Sequence, residues 1–237
     1  MLQDLVFRFL SVETVNMSSS FQNILIESAI ASKALKFGEF TLKSGRLSPY
    51  FFNSGLLYTG QALAALAGAY AKTIIEADIE FDIIFGPAYK GIALAAITAA
   101  KLAELNPEKY NKIEYAYNRK EAKDHGEGGV LVGAPLAGKK ILILDDIITA
   151  GTAIQQAYNI ISDAKGTVTG IFLCMDRQEK GTDSDLSAVQ VWSEKLNVPI
   201  KSIFNLEALI AYLVKGNILS NEEIASMEEY RKKYAIV

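Results

Sequence analysis

Cysteine is almost absent: Cys174 is the only one in 237 residues. No disulfide can form within the chain, and no thiolate cage can hold a metal. Cys174 lies in the apolar run Gly170–Met175 and reads as a small buried hydrophobe. Its solitude suits a reducing cytosol, so a cytoplasmic protein is expected. Histidine is equally scarce, with His125 alone, which removes the paired spacings of zinc sites. Excess positive charge is missing too, since 24 Lys and Arg face 27 Asp and Glu. No global basic field exists to hold nucleic acid, although a local cluster can still bind an anionic small molecule. No apolar run approaches the ~20 residues that span a bilayer, so no membrane partner is expected. No internal repeat and no low-complexity tract is visible.

The first residues lack the positive start and small-residue cleavage site of a signal peptide. Residues 1–17 are expected to be an extension: an extra helix, an unfolded arm or an upstream start. Met17 followed by three serines offers a helix cap and a second start. No function is assigned to this stretch.

Half of the chain is apolar, a globular composition. Strand and helix periods alternate along it. Ser20–Leu35 has helical spacing, Phe37–Asn53 reads as short strands and turns, and Gln61–Ala77 is an Ala-rich helix. Strands are predicted at Phe81–Phe85, Ile113–Tyr117, Ile141–Leu144, Thr167–Met175 and Pro199–Phe204. Helices are predicted at Gly91–Leu105, Thr152–Ala164 and Leu206–Leu213. A last helix opens at Ser220 with Glu223 three residues on, a capping box, and closes on Arg231, Lys232 and Lys233. The charged and then glycine-rich stretch 118–133 reads as a mobile loop or hairpin. This alternation predicts an α/β fold: a mostly parallel central sheet with helices on both faces. Ligands of such sheets bind beyond the carboxyl ends of the strands. Chemistry is therefore expected at 86–91, 118–129 and 145–152, each of which follows a predicted strand.

The sharpest signal is residues 141–153, ILILDDIITAGTA. An apolar strand ends in Asp145 and Asp146, followed by two apolar residues, Thr149-Ala150-Gly151-Thr152 and a helix. Small residues let backbone N–H groups approach a ligand, and a helix N-terminus adds a partial positive charge. Thr149 and Thr152 add hydroxyls. Two carboxylates would repel a phosphate, so they must face something else, either vicinal sugar hydroxyls or a hydrated Mg2+. The bland alternative is a capped helix after a buried strand. Two carboxylates beside such a strand are costly without partners, which favours function. Aspartates tied up in internal ion pairs with no room for a ribose, or a turn packed shut against the core, would overturn it.

Two other glycine-bearing stretches do not qualify. Gly133–Lys140 has the start of a phosphate-loop pattern but lacks the final Ser/Thr and precedes its strand. Gly126–Gly129 neither follows a strand nor opens a helix. Four potential cations, Arg119, Lys120, Lys123 and His125, lie within seven residues. Such a run is usually a solvated loop, yet an enzyme that expels a diphosphate needs mobile cations of this kind. The turn 86–91 carries Lys90 and reads as either a plain surface turn or a second anion site facing the first.

Residues 145–153 resemble the phosphoribosyl diphosphate motif of type I phosphoribosyltransferases. Beyond it, Leu35–Arg46, Ser48–Asn53, Phe85–Gly91, Asn118–Gly129 and Asp176–Glu179 resemble the orotate phosphoribosyltransferase family. These collinear matches run from about Phe21 to the C-terminus, and only the N-terminal extension departs from the pattern. The resemblance implies a small N-terminal hood (about 18–60, with C-terminal contributions) on a core (about 61–205) within one domain, 18–237. It implies a pentosyltransferase that joins orotate to phosphoribosyl diphosphate in pyrimidine synthesis, releasing diphosphate. Asp145, Asp146, Ile147, Ile148, Thr149, Ala150, Gly151, Thr152 and Ala153 would hold the ribose hydroxyls and 5′-phosphate. Lys43, Tyr89, Lys90, Arg119, Lys120, Lys123 and His125 would serve the diphosphate, with Lys123, His125, Asp145 and Asp146 closest to catalysis. Phe51, Phe52, Thr149 and Arg177 would hold orotate. Mg2+ would be held mainly by substrate and water, with Asp146 the candidate protein contact. A homodimer is implied, with loop 118–129 shared between subunits and Lys120 acting on the neighbour's site.

Two alternatives remain at this point. A purine or uracil phosphoribosyltransferase would share 145–153 but not the Phe51-Phe52 hood and the 118–126 loop. A regulator that senses phosphoribosyl diphosphate while binding nucleic acid would need a basic face or an added DNA-binding domain, and neither is evident.

Overall fold

The computed structural model of the chain describes residues 20–42, 44–123, 129–181 and 184–236, without the side chains of 122 and 123. The extension 1–17 lies outside the described residues. Helix α1 (Phe21–Ala31) leads into a hairpin of β1 (Leu35–Thr41) and β2 (Leu47–Phe52). A short 3-10 turn at Ser54–Leu56 precedes α2 (Gly60–Ala77), β3 (Ile83–Gly86), α3 (Lys90–Leu105) and α4 (Pro107–Tyr110). Next come β4 (Glu114–Lys123), β5 (Gly129–Gly133), β6 (Lys140–Asp145), α5 (Thr152–Asp163) and β7 (Thr167–Asp176). The chain continues through α6 (Ala188–Leu196), β8 (Ile200–Asn205), α7 (Leu206–Lys215) and α8 (Asn221–Tyr234).

Six strands form one sheet in the order β5-β4-β3-β6-β7-β8. Every pairing is parallel except β4–β5, which is antiparallel. The expected α/β fold is therefore observed. Strands β3 and β6 sit in the middle, and Ile141, Leu142, Ile143 and Leu144 are fully buried. A pleated strand covered on both faces needs apolar side chains on both. Leu142 and Leu144 enter the core beneath α2 and α7, while Ile141 and Ile143 enter the second core with Ile154 and Ile161 of α5 and Trp192 of α6.

The β1–β2 hairpin forms a separate two-stranded sheet. Its strand alternation buries Ser48, Tyr50 and Phe52 and leaves Leu47 and Phe51 exposed. Tyr50 meets Tyr230 of α8 edge-on at 6.2 Å, and Phe52 meets Phe204 of β8 at 6.1 Å. The C-terminus thus packs against the N-terminal hairpin.

Beyond shifts of one or two residues at several ends, these differences from the sequence expectation stand out. Helix α1 stops at Ala31, not Leu35, because the Ser32 hydroxyl donates to the Ser28 carbonyl and Lys33 turns left-handed at φ 59°. Strand β4 runs on to Lys123 and pairs with β5 at Asn118 and again at Lys123, while 124–128 lie outside the described residues. Helix α6 was absent from the sequence expectation and is capped by a reciprocal Ser187–Gln190 box.

Candidate active site

The β6–α5 turn lies at the carboxyl end of the central strand. Asp145 and Asp146 are buried, while Thr149, Ala150, Thr152 and Ala153 are exposed. The turn is open rather than packed shut. Gly151 caps α5 in a left-handed conformation, φ 73°, and a Cβ there would run into the Trp192 indole. Glycine is therefore required both for the turn and for the close approach. No side chain caps α5 or α3, whereas Ser20, Thr59, Ser187, Asn205 and Ser220 cap α1, α2, α6, α7 and α8. The two helices that begin at the carboxyl ends of β3 and β6 present their first N–H groups to the site. Such ends attract anions.

Asp145 accepts the Asp146 N–H at 2.9 Å, and the Asp145 carbonyl accepts the Tyr70 hydroxyl at 2.7 Å. Burial, and then the adjacent Asp146 charge, push the Asp145 carboxyl up to about 7. Asp146 Oδ2 accepts from Ser54 Oγ and from Lys90 Nζ, each at 2.6 Å. Asp146 Oδ1 accepts the Ile147 N–H at 3.0 Å. Asp146 is thus engaged in an internal ion pair, part of the condition that counts against the reading, while the turn beside it stays open. The Lys90 side chain is 50% exposed, so this pair is screened by solvent and open to competition from an added anion.

The Lys90 turn faces the aspartates because β3 and β6 are adjacent and parallel. Their approach is tight: a Cβ on Gly91 would press on Pro87 and on the Leu144 carbonyl. Lys90 is exposed, yet its turn faces the first one and its ammonium reaches Asp146. Asn118, at the matching level of β4, accepts the Ala88 N–H through its side chain at 3.2 Å. Lys120 lies over the Tyr89 ring at 4.7 Å, and Arg119 donates to the Gly129 carbonyl at 3.4 Å. Tyr89 and Lys120 thus meet beyond the ends of β3 and β4, next to Lys90, whereas Arg119 turns to β5. Lys43 and His125 lie outside the described residues, as does the side chain of Lys123.

The expected orotate residues divide. Strand alternation turns Phe51 out to solvent, where it meets Phe40 at 5.7 Å, and turns Phe52 into the core. The two rings point to opposite sides, so they cannot both lie on one flat ligand. Arg177, just beyond β7, is held by Glu179 and lies over the Tyr50 ring at 5.2 Å. Sequence reasoning missed Ser54, Tyr70 and Trp192, which contact the aspartates or the glycine of the turn. No local spacing announces them, because each reaches the site from a distant element. Among the described residues no three acidic, His or Cys side chains converge as a metal cage.

The family of the phosphoribosyl transferase domain matches residues 54–204, the span that carries both facing turns. That fixes the class. The orotate phosphoribosyltransferase of Yarrowia lipolytica is 55% identical over 216 residues, covering 91% of this chain and 98% of that protein. The Kluyveromyces lactis orotate phosphoribosyltransferase is 55% identical over 217 residues, covering 90% and 95%. The crystal structure of the Francisella tularensis enzyme superimposes with a TM-score of 0.78 at 46% identity, covering 89% and 98%. The chain belongs to the orotate phosphoribosyltransferase family.

Proposed function

We infer that this enzyme transfers the 5-phosphoribosyl group from phosphoribosyl diphosphate to orotate, giving orotidine 5′-monophosphate and diphosphate in pyrimidine synthesis. One observation carries the reading: an open turn with an uncapped helix end and a buried acid pair faces a lysine turn on the neighbouring parallel strand. The amides and hydroxyls of Thr149–Ala153 suit the 5′-phosphate, and Asp145 and Asp146 suit the ribose diol. The diphosphate belongs with Tyr89, Lys90, Arg119 and Lys120, joined by Lys43, Lys123 and His125. It competes with Asp146 for Lys90, which frees that carboxylate for the sugar. Orotate is a flat ring with a carboxylate. The Phe51 ring, the β2 backbone at Phe52, Thr149 and the Arg177 fork suit it.

Substitution at the anomeric carbon develops oxocarbenium character, and the leaving diphosphate gains charge. The chain therefore needs no nucleophile of its own, only positioning, neutralisation and water exclusion. Mg2+ fits here as an ion borne by substrate and water, with Asp146 the carboxylate within reach, and when bound it would offset the diphosphate charge. We assign the enzyme to the cytoplasm and to a homodimer in which loop 118–129 closes on the partner's site. The hairpin and its C-terminal support form a hood over a core of about 61–205. Adding phosphoribosyl diphosphate and Mg2+ to protein and orotate is expected to abolish the orotate absorbance band, with adenine, guanine and uracil not consumed. Consumption of one of those bases and not of orotate would overturn the assignment.

A further inference from the structure

Arg177 is already oriented by other side chains. Its Nε donates to Glu179 Oε1 at 2.8 Å, and its Nη2 lies 2.6 Å from the same oxygen. The Tyr230 hydroxyl, on α8, donates to that oxygen at 2.8 Å. Glu179 Oε2 is 3.8 Å from Arg46 Nη1. Arg46 in turn donates to the Lys180 and Gly181 carbonyls and lies over the Tyr234 ring. The main chain runs alongside: Lys180 N–H donates to Tyr234 and Ile236 N–H to Gln178, both at 2.8 Å. One nearly buried carboxylate thus sits between two guanidinium groups and a phenol.

We propose that Glu179 is a positioning residue for orotate, and that with Tyr230 it holds the Arg177 guanidinium against the face of Tyr50 in its ligand-accepting pose. The proposal rests on the reading of Arg177 as an orotate residue. An arginine fork has many rotamers, and fixing it beforehand spares the ligand the cost of ordering it. The last helix of the chain then takes part in base recognition without touching the base. The diphosphate side is held by different groups, Asp146, Ser54 and Tyr89. Loss of Glu179 should therefore act on one substrate only. A purely structural cross-link between α8 and the end of β7 would instead change stability and treat both substrates alike.

The test compares Arg177→Ala, Glu179→Gln, Tyr230→Phe and the Arg177→Ala/Glu179→Gln double variant by steady-state kinetics for each substrate and by thermal melting. Glu179→Gln is expected to raise the orotate KM about tenfold and leave the phosphoribosyl diphosphate KM within about twofold, the effect of losing a charge-assisted hydrogen bond. Tyr230→Phe should shift the same KM in the same direction by less. The double variant should be no worse than Arg177→Ala, since both remove one interaction. Tyr230→Phe keeps the ring packing and serves as the probe if Glu179→Gln does not fold. An orotate KM raised by Arg177→Ala but not by Glu179→Gln or Tyr230→Phe would overturn the role of Glu179 and leave the reading of Arg177 standing. Equal shifts of both KM values in Glu179→Gln would overturn it too. An orotate KM unmoved by Arg177→Ala would remove the reading of Arg177, and the proposal with it.

Discussion

At Asp145 burial and a neighbouring charge act together. Its carboxyl is raised from 3.8 to about 7, first by burial and then by Asp146. Between those two values the folded state binds a proton that the unfolded state has released, so stability falls as pH rises through the window. Asp145→Asn removes this cost while keeping an acceptor for the Asp146 N–H. The unliganded variant should melt ~10 °C above the parent at pH 8, with the difference closing below pH 4, because a rise of about three pH units is about 4 kcal/mol and each kcal/mol moves a chain of this size by a few degrees. Melting curves across pH check this, and an unchanged melting temperature at pH 8 would mean that the charge is not felt. A second prediction at this scale concerns Lys123, whose place comes from the family pattern. Lys123→Ala should lower kcat far more than it weakens binding, because a cation that meets the developing leaving group acts mainly in the transition state. Pre-steady-state and steady-state kinetics with phosphoribosyl diphosphate separate the two, and an unchanged kcat would remove the loop's role.

Among the elements, α5 and its turn show what local sequence carries and what it leaves out. The apolar strand, the acid pair and the small residues before Thr152 were all legible, because strand period, turn chemistry and helix start each leave a local mark. Trp192 left none. It comes from α6, and its indole fills the space beside Gly151 that a side chain there would need. Gly151→Ala therefore meets two penalties, a left-handed backbone and a clash with the indole. We expect a loss of ~3 kcal/mol in denaturant unfolding, from strain and overpacking together. Loss of the protection that phosphoribosyl diphosphate gives against thermal unfolding should accompany it. A variant of parental stability would show that the indole moves aside freely. Helix α6 itself had a legible start in Ser187 and Gln190 and buries Trp192 and Leu196 four residues apart, but at nine residues it is short for a period to stand out. The early end of α1 is of the same kind: Ser32 and Lys33 stop the helix while the apolar spacing continues.

For the whole molecule, the proposed shared loop makes a prediction about mixtures. A Lys90→Ala protein and a Lys123→Ala protein, each inactive alone, should regain about a quarter of parental activity when mixed under subunit exchange, because random pairing gives each mixed dimer one intact site. No recovery, with mixed dimers demonstrated, would mean self-contained subunits. The sequence by itself determined the α/β class, the central apolar strand, the strand–turn–helix with its acid pair, and the family. Each of these rests on residues adjacent in the chain, where period and turn chemistry act within a few positions. Only the tertiary structure decided which turns face one another. The pairing of β3 with β6 brings Lys90 onto Asp146, the packing of the hairpin against α8 delivers Tyr230 to Glu179, and strand alternation separates Phe51 from Phe52. The Lys90–Asp146 and Tyr230–Glu179 contacts join residues 56 and 51 positions apart. Their geometry comes from burying both faces of one sheet at once, which no local pattern records.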